Sequence, residues 1–249
     1  MMPRILAVRS ALPDNHCRQA QFTDAFADRG NMGQSERVLM ERLHAAAEVA
    51  TRYTVLPLAE CGVLQGAEAV NDRYIDEATT LGERALRRAL DAAGISPADL
   101  DLLIVTSVTG VAVPSIDARL IPRLGLRPDI RRLPIFGLGC VAGAAALGRL
   151  HDYLLGWPGQ TAALLAVELC SLNWPTIGVT PADMVAAGLF GDGRWRSSPA
   201  APRPRAAVGA AVPATRRRVP RSSPPAARST RTAVTRSAGG WAPTASVSC

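Results

Sequence analysis

The chain has 249 residues, is 48% hydrophobic but only 4% aromatic, and carries a formal net charge of +7, which is enough apolar material for one large or two small domains with a core of Ala, Leu, Val and Ile. No window reaches the roughly 18–20 apolar residues of a membrane span, and the N-terminus lacks the apolar run of a secretory signal. The five scattered cysteines, Cys17, Cys61, Cys140, Cys170 and Cys249, offer neither metal-ligand spacing nor an even disulfide set, so a cytoplasmic, reducing setting without a metal is expected.

Taken in chain order, the first clear element is a helix over 35–50, where Val38, Leu39, Leu43, Ala46 and Ala47 share one stripe. A second helix over 76–93 is closed by Gly94. The run 101–107, DLLIVTS, is continuous and apolar, as expected of a strand buried on both faces. A helix over 114–124, a strand over 132–136, a helix over 140–155, a buried strand over 161–168 and a short helix over 181–189 follow. This alternation predicts an α/β fold with a mostly parallel sheet covered by helices.

Composition changes after Gly193. Residues 194–249 hold 11 Arg and no acid, whereas the preceding body holds 17 Arg against 21 acids, a net of −4. There is no lysine anywhere, a mark of GC-rich coding rather than of surface chemistry. The Pro-, Ala-, Ser- and Arg-rich tail is expected to be disordered, with the domain ending at 193. It has no stacking platform and no recognisable module, so no nucleic-acid partner is expected.

The segment 135–150, IFGLGCVAGAAALGRL, places Cys140 between a strand and a small-residue helix. The free N–H groups and positive dipole end of such a helix favour a thiolate. Gly137, Gly139 and Gly143 leave room for a tight turn and for close approach of substrate and backbone. On these grounds Cys140 is either core filler or a nucleophile. Cys17, Cys61 and Cys170 read as inert small residues.

The segments FGLGCVAGAAALGRLHDYL, TRYTVLPL, SVTGVAVPSIDARLIPRLGLRPDIRRLPIF, LLAVELCSLNW and AAGLFGDG together resemble the bacterial type III polyketide synthases, the chalcone synthase-like branch of the thiolase superfamily. The resemblance covers about residues 3–193. It implies a thiolase-like fold of two similar α/β halves, of which this is the N-terminal half, and a homodimer. It implies CoA thioesters as substrates and no cofactor. Cys140 would accept an acyl group from a starter acyl-CoA, onto which malonyl-CoA is condensed with loss of CO2. Phe190 would be the aromatic residue between CoA tunnel and reaction cavity, and Arg52 a contact to the CoA phosphates. Val113 would cross the dimer interface, and Asn173 would line the cavity where a small residue is usual.

The same resemblance expects a His and an Asn from the second half, in segments that these residues lack. His16, His44 and His151 fall elsewhere and read as ordinary surface or helix histidines. A family segment ending Gly-Phe-Arg-Ile-Val-Leu, coded GGC TTC CGT ATC GTG CTG and read one nucleotide later, gives Ala-Ser-Val-Ser-Cys, which is 245–249 here. The tail is therefore expected to be out of frame and the enzyme truncated. A non-catalytic dimerisation or interaction fragment is the alternative.

Overall fold

The computed structural model describes residues 3–64, 66–174, 178–193 and 209–213. All of these residues belong to one compact unit. Its centre is a five-stranded sheet of order β1-β7-β6-β4-β5, made of β1 (Ile5–Ser10), β4 (Leu102–Thr106), β5 (Arg131–Ile135), β6 (Ala162–Ala166) and β7 (Gly209–Pro213). Strand β4 runs parallel to both neighbours, pairing Ile104 with Leu133 on one side and with Leu164 on the other. All five β4 residues are buried, as the unbroken apolar run requires of a strand covered on both faces.

Alternate residues of the strands feed two separate cores. Leu103, Val105, Ala163 and Leu165 join the larger one, under Ala78, Leu81, Ala85, Leu86 and Ala89 of α3 (Ala67–Ala93). Leu102, Ile104, Ala162 and Leu164 join the smaller one, with Ala146, Leu150 and Leu154 of α5 (Ala142–Gly156). Helix α3 is nine residues longer at its start than the periodicity indicates. It stops at Gly94, whose φ of 65° is the left-handed conformation that glycine adopts without strain. Helix α4 (Ile116–Leu124) packs against α3.

The parallel expectation holds for β6, β4 and β5. Strand β7 is antiparallel to both β1 and β6, which makes the sheet mixed. It lies beyond residue 193 and fills an internal position of the sheet, between β1 and β6. A gap between β1 and β6 would leave their inner main-chain groups unpaired, and the backbone of Gly-Ala-Ala-Val-Pro supplies the partners. The rest of the tail, and the disorder expected of it, lies outside the described residues.

A second, two-stranded sheet pairs β2 (Asn15–Arg18) with β3 (Thr51–Thr54). Helices α1 (Gln19–Arg29) and α2 (Gln34–Ala46) connect them, and α6 (Pro181–Leu189) packs on α2. Helix α6 starts at a reciprocal cap: Asp183 Oδ2 accepts from Thr180 N at 2.8 Å and Thr180 Oγ1 accepts from Asp183 N at 3.3 Å.

Candidate active site

Cys140 stands where β5 ends. The chain passes through Phe136–Leu138 into a single 3-10 turn, Gly139–Val141, and α5 begins at Ala142 rather than at the cysteine itself. Gly137 and Gly139 take φ of 84° and 55°, so both positions need glycine to turn the thiol outward. Gly143 differs: a Cβ there would have nothing within 4 Å, so no close backbone approach explains it. The thiol is exposed, as are Phe136, Leu138 and Val141 around it.

Beside it lies a cavity of about 200 Å³ lined by Arg52, Thr109, Cys170, Asn173, Trp174 and Phe190, among others. Three of the five residues singled out in the sequence thus meet in one place. Cys140 is not in its lining but is close enough to act electrostatically on Cys170. Val113 is outside it and 87% exposed, at a cis peptide before Pro114. Asn173 donates from Nδ2 to the Thr109 carbonyl at 3.0 Å. Phe190 ends α6 in an extended conformation, its ring half-exposed on the cavity rim.

Arg52 departs from expectation. It is 1% exposed. Its Nε donates to Gln19 Oε1 at 2.8 Å, Nη1 to the Phe190 carbonyl at 2.8 Å and Nη2 to the Gly188 carbonyl at 2.9 Å. The guanidinium also lies 4.0 Å from the centre of the Phe22 ring. Strand β3 turns alternate residues inward, and 52 is one of them. A guanidinium engaged this way is directed into the protein and not toward CoA phosphates in solvent.

Two carboxylates hold the loops together. Glu168 accepts from Val108 N, Thr109 N and Thr109 Oγ1 at 2.9–3.2 Å; burial pushes its pKa up against the pull of these donors. Asp192 is fully buried and accepts from Val55 N at 2.8 Å and Ser171 N at 2.7 Å, with Ser171 Oγ as a third donor. Burial pushes it up to about 6 despite these bonds. It is a structural brace between the end of β3 and the loop that follows β6.

Among the described residues the other thiols are shielded. Burial pushes Cys61 and Cys170 up to about 12, with Asp192 adding to both, and raises Cys17 as well. Among the histidines, His16 lies against the Tyr53 ring and His151 is near Asp152. His44 is not a surface residue: it is 3% exposed. Its Nε2 lies 3.0 Å from the Met184 carbonyl and its Nδ1 2.7 Å from Thr23 Oγ1. A carbonyl only accepts, so the neutral ring carries its proton on Nε2. Sequence pattern missed this because the partner is 140 residues away. Among the described residues no group of acidic, His and Cys side chains could hold a metal ion, and no helix is long and apolar enough to cross a membrane.

Comparison with known proteins assigns the chain to a family. The family of chalcone and stilbene synthases, N-terminal domain, matches residues 2–197. A 1,3,6,8-tetrahydroxynaphthalene synthase of Streptomyces peucetius subsp. caesius is 50% identical over 189 residues, 76% of this chain and 50% of that protein. A phloroglucinol synthase of Pseudomonas fluorescens is 33% identical over 180 residues, 72% of this chain and 51% of that protein. The crystal structure of 1,3,6,8-tetrahydroxynaphthalene synthase from Streptomyces coelicolor, a bacterial type III polyketide synthase, superposes with a TM-score of 0.71 at 29% identity, covering 84% of this chain and 55% of that one. The chain spans about half the length of the curated relatives it matches. It belongs to the chalcone and stilbene synthase family, the type III polyketide synthases, and the part it shares with them is the N-terminal domain.

Proposed function

We propose that Cys140 is the acyl-accepting nucleophile of a type III polyketide synthase reaction on CoA thioesters. The thiolate attacks the thioester carbonyl, the C–S bond to CoA breaks, and CoA leaves as a thiolate that takes up a proton. In the extension step, loss of CO2 from malonyl-CoA leaves its bonding pair as an enolate. That carbanion attacks the Cys140 thioester and displaces the sulfur. The observation that carries the reading is the placement of Cys140: an exposed thiol on a glycine turn at a strand–helix junction, next to a cavity lined by Asn173 and Phe190.

The two steps make different demands. Acyl transfer needs the thiolate and access. Decarboxylation also needs donors for the enolate oxygen, and loss of one such donor costs about 100- to 1,000-fold. His16, His44 and His151 are each placed elsewhere, so these 249 residues are expected to self-acylate slowly and to make no polyketide. A homodimer and the second-half His and Asn complete the site in this reading. Incubation with acetyl-CoA followed by intact-mass measurement tests it. One acetyl adduct that maps to Cys140 and vanishes in Cys140→Ala is expected; an adduct on another cysteine, or none, ends the assignment.

The acid-free, Arg-only tail supports a shifted reading frame after Gly193. Inserting or deleting one nucleotide near codon 194 should open a frame that continues the family; a gene without such a frame rules this out. The alternative, a non-catalytic interaction fragment, is favoured by the exposed apolar side chains of Leu133, Phe136, Leu138, Val141 and Leu147. A stable dimer that takes up no acyl group would select it.

A further inference from the structure

Helix α6 ends at Leu189, and the carbonyls on either side of that residue, Gly188 and Phe190, both accept from Arg52. The last carbonyls of a helix lack partners within the helix, and a cation there also meets the negative end of the helix dipole. Arg52 fills that role from a strand 136 residues earlier. Burying a guanidinium is costly, and an apolar side chain could occupy the same volume without that cost. What an apolar residue, or a lysine, cannot do is span two carbonyls with a rigid planar fork.

The other contacts act on the same segment. Gln19 Oε1 takes Nε and so sets the plane of the fork. His44 donates to the Met184 carbonyl one turn upstream, and its ring lies so close to Gly188 that a Cβ there would be 2.7 Å from Cδ2. The helix is thus held at Met184 and again at its last turn. The next residue out is Phe190, its ring on the rim of the cavity that contains Cys170 and Trp174.

We infer that Arg52 is a positioning residue: by bridging the Gly188 and Phe190 carbonyls it sets the Phe190 ring at the cavity rim, and so selects the length of acyl chain that enters. The selection of acyl chains rests on the proposed acyl-transfer reading; the control of the rim does not. The experiment has one arm for each.

In the first arm, the full chain and its Arg52→Lys, Phe190→Ala and doubly substituted forms are treated with N-ethylmaleimide. The labelling rate of Cys170, inside the cavity, is compared with that of exposed Cys140. Phe190→Ala should raise the Cys170 to Cys140 ratio about tenfold, Arg52→Lys should raise it toward the same value, and the double substitution should add nothing further. A folded Arg52→Lys protein with the wild-type ratio, or a double variant showing the product of the two single effects, overturns the inference. If Arg52→Lys does not fold, Arg52→Gln, which retains one amide donor, takes its place. Collapse of both makes Arg52 structural and equally overturns it.

In the second arm, Cys140 is offered acetyl-, hexanoyl- and dodecanoyl-CoA. The dodecanoyl to acetyl rate ratio should shift at least about fivefold in Arg52→Lys. An unchanged ratio overturns the selectivity claim. Absence of acylation by any thioester, with the maleimide arm as expected, overturns the acyl-transfer reading while the positioning role stands.

Discussion

Helix α3 buries nine of its 27 residues, whereas α5, on the other face of the sheet, buries four of its 15. The buried residues of α3 include Leu81, Leu86 and Leu90, spread over a broad stripe. Those of α5 form a single row, Ala142, Ala146, Leu150 and Leu154, at intervals of four. Around that row Val141, Leu147 and Leu155 stay exposed, and the approach to the helix exposes Leu133, Phe136 and Leu138. Cys140, the nucleophile of the proposed reaction, leads into the helix on this second face. The α3 face of the sheet therefore carries most of the core, and the α5 face has little core beneath it. Because most mutations destabilise through core packing, variation on the second face is the less dangerous to the fold.

The largest contrast should appear in stability. Leu86 is fully buried in the larger core, and Leu86→Ala should cost about 2–5 kcal/mol. Leu147, 43% exposed on α5, should change stability by less than about 0.5 kcal/mol on the same substitution. Urea unfolding of both variants measures the difference. Equal losses would mean that α5 is packed against something as tightly as α3 is against the sheet.

How much of this was legible in the sequence follows from range. Buried strands such as β4 announce themselves locally, because each residue of an apolar run of strand length is read from its own neighbours. Strands β2 and β3 do not: they are four residues each, polar in part, and pair across 39 positions, Asn15 with Thr54. Helix α1 was missed although Phe22, Phe26 and Ala27 lie on one stripe, because Gln, Thr and Asp fill the rest. The turn carrying Cys140 was readable from its glycines. The burial of Arg52 and His44 was not, since the acceptors that make it tolerable, the carbonyls of Met184, Gly188 and Phe190, come from more than 130 residues away. Charged and polar residues default to the surface in a sequence reading, and a distant carbonyl leaves no local signal.

On the site side, a buried carboxylate supplies the next test. The folded protein holds the Asp192 proton up to about pH 6, while the unfolded chain releases it near the ordinary value of 3.8. Between those two values the folded state binds more protons, so stability falls as pH rises through the window and levels off above it. A shift of this size corresponds to roughly 2–3 kcal/mol. Asp192→Asn should remove that slope while lowering stability at acid pH, because one amide oxygen cannot accept from both Val55 and Ser171. A slope unchanged in the variant would assign it to another group.

Thiol labelling sharpens the comparison at the level of single residues. Cys140 should react with iodoacetamide at least about tenfold faster than Cys17, Cys61 or Cys170 in the folded protein. Burial shields those three and raises their pKa values, so that less thiolate is present. In urea the four rates should converge. If Cys170 leads in the folded state, the cavity is more open than its lining implies.

The smallest effect expected is that of His44, and its sign is opposite to that of Asp192. Burial lowers its pKa below the ordinary 6.5, the bond to the Met184 carbonyl opposes this, and the Arg52 charge adds to the lowering. The ring sits between α1, α2, β3 and α6. The charged groups near it are Asp24, Glu41 and Glu48 along the groove beside it, and Arg52 on β3; Asp183 on α6 lines the cavity instead. The unfolded chain thus takes up a proton at a pH where folded His44 remains neutral. Stability from this group is fully present above 6.5 and declines as pH falls from there toward the folded value. Asp192 gains stability over part of the same range, so in the wild type the two trends offset each other on the acid side. His44→Gln retains an amide donor for the Met184 carbonyl but does not titrate. Melting temperatures between pH 5 and 7.5 should therefore rise on acidification more in His44→Gln than in wild type, even if the variant is less stable at pH 7.5. Identical slopes would show that His44 takes up its proton in the fold as readily as in the unfolded chain, and that the Thr23 contact offsets the cost of burial.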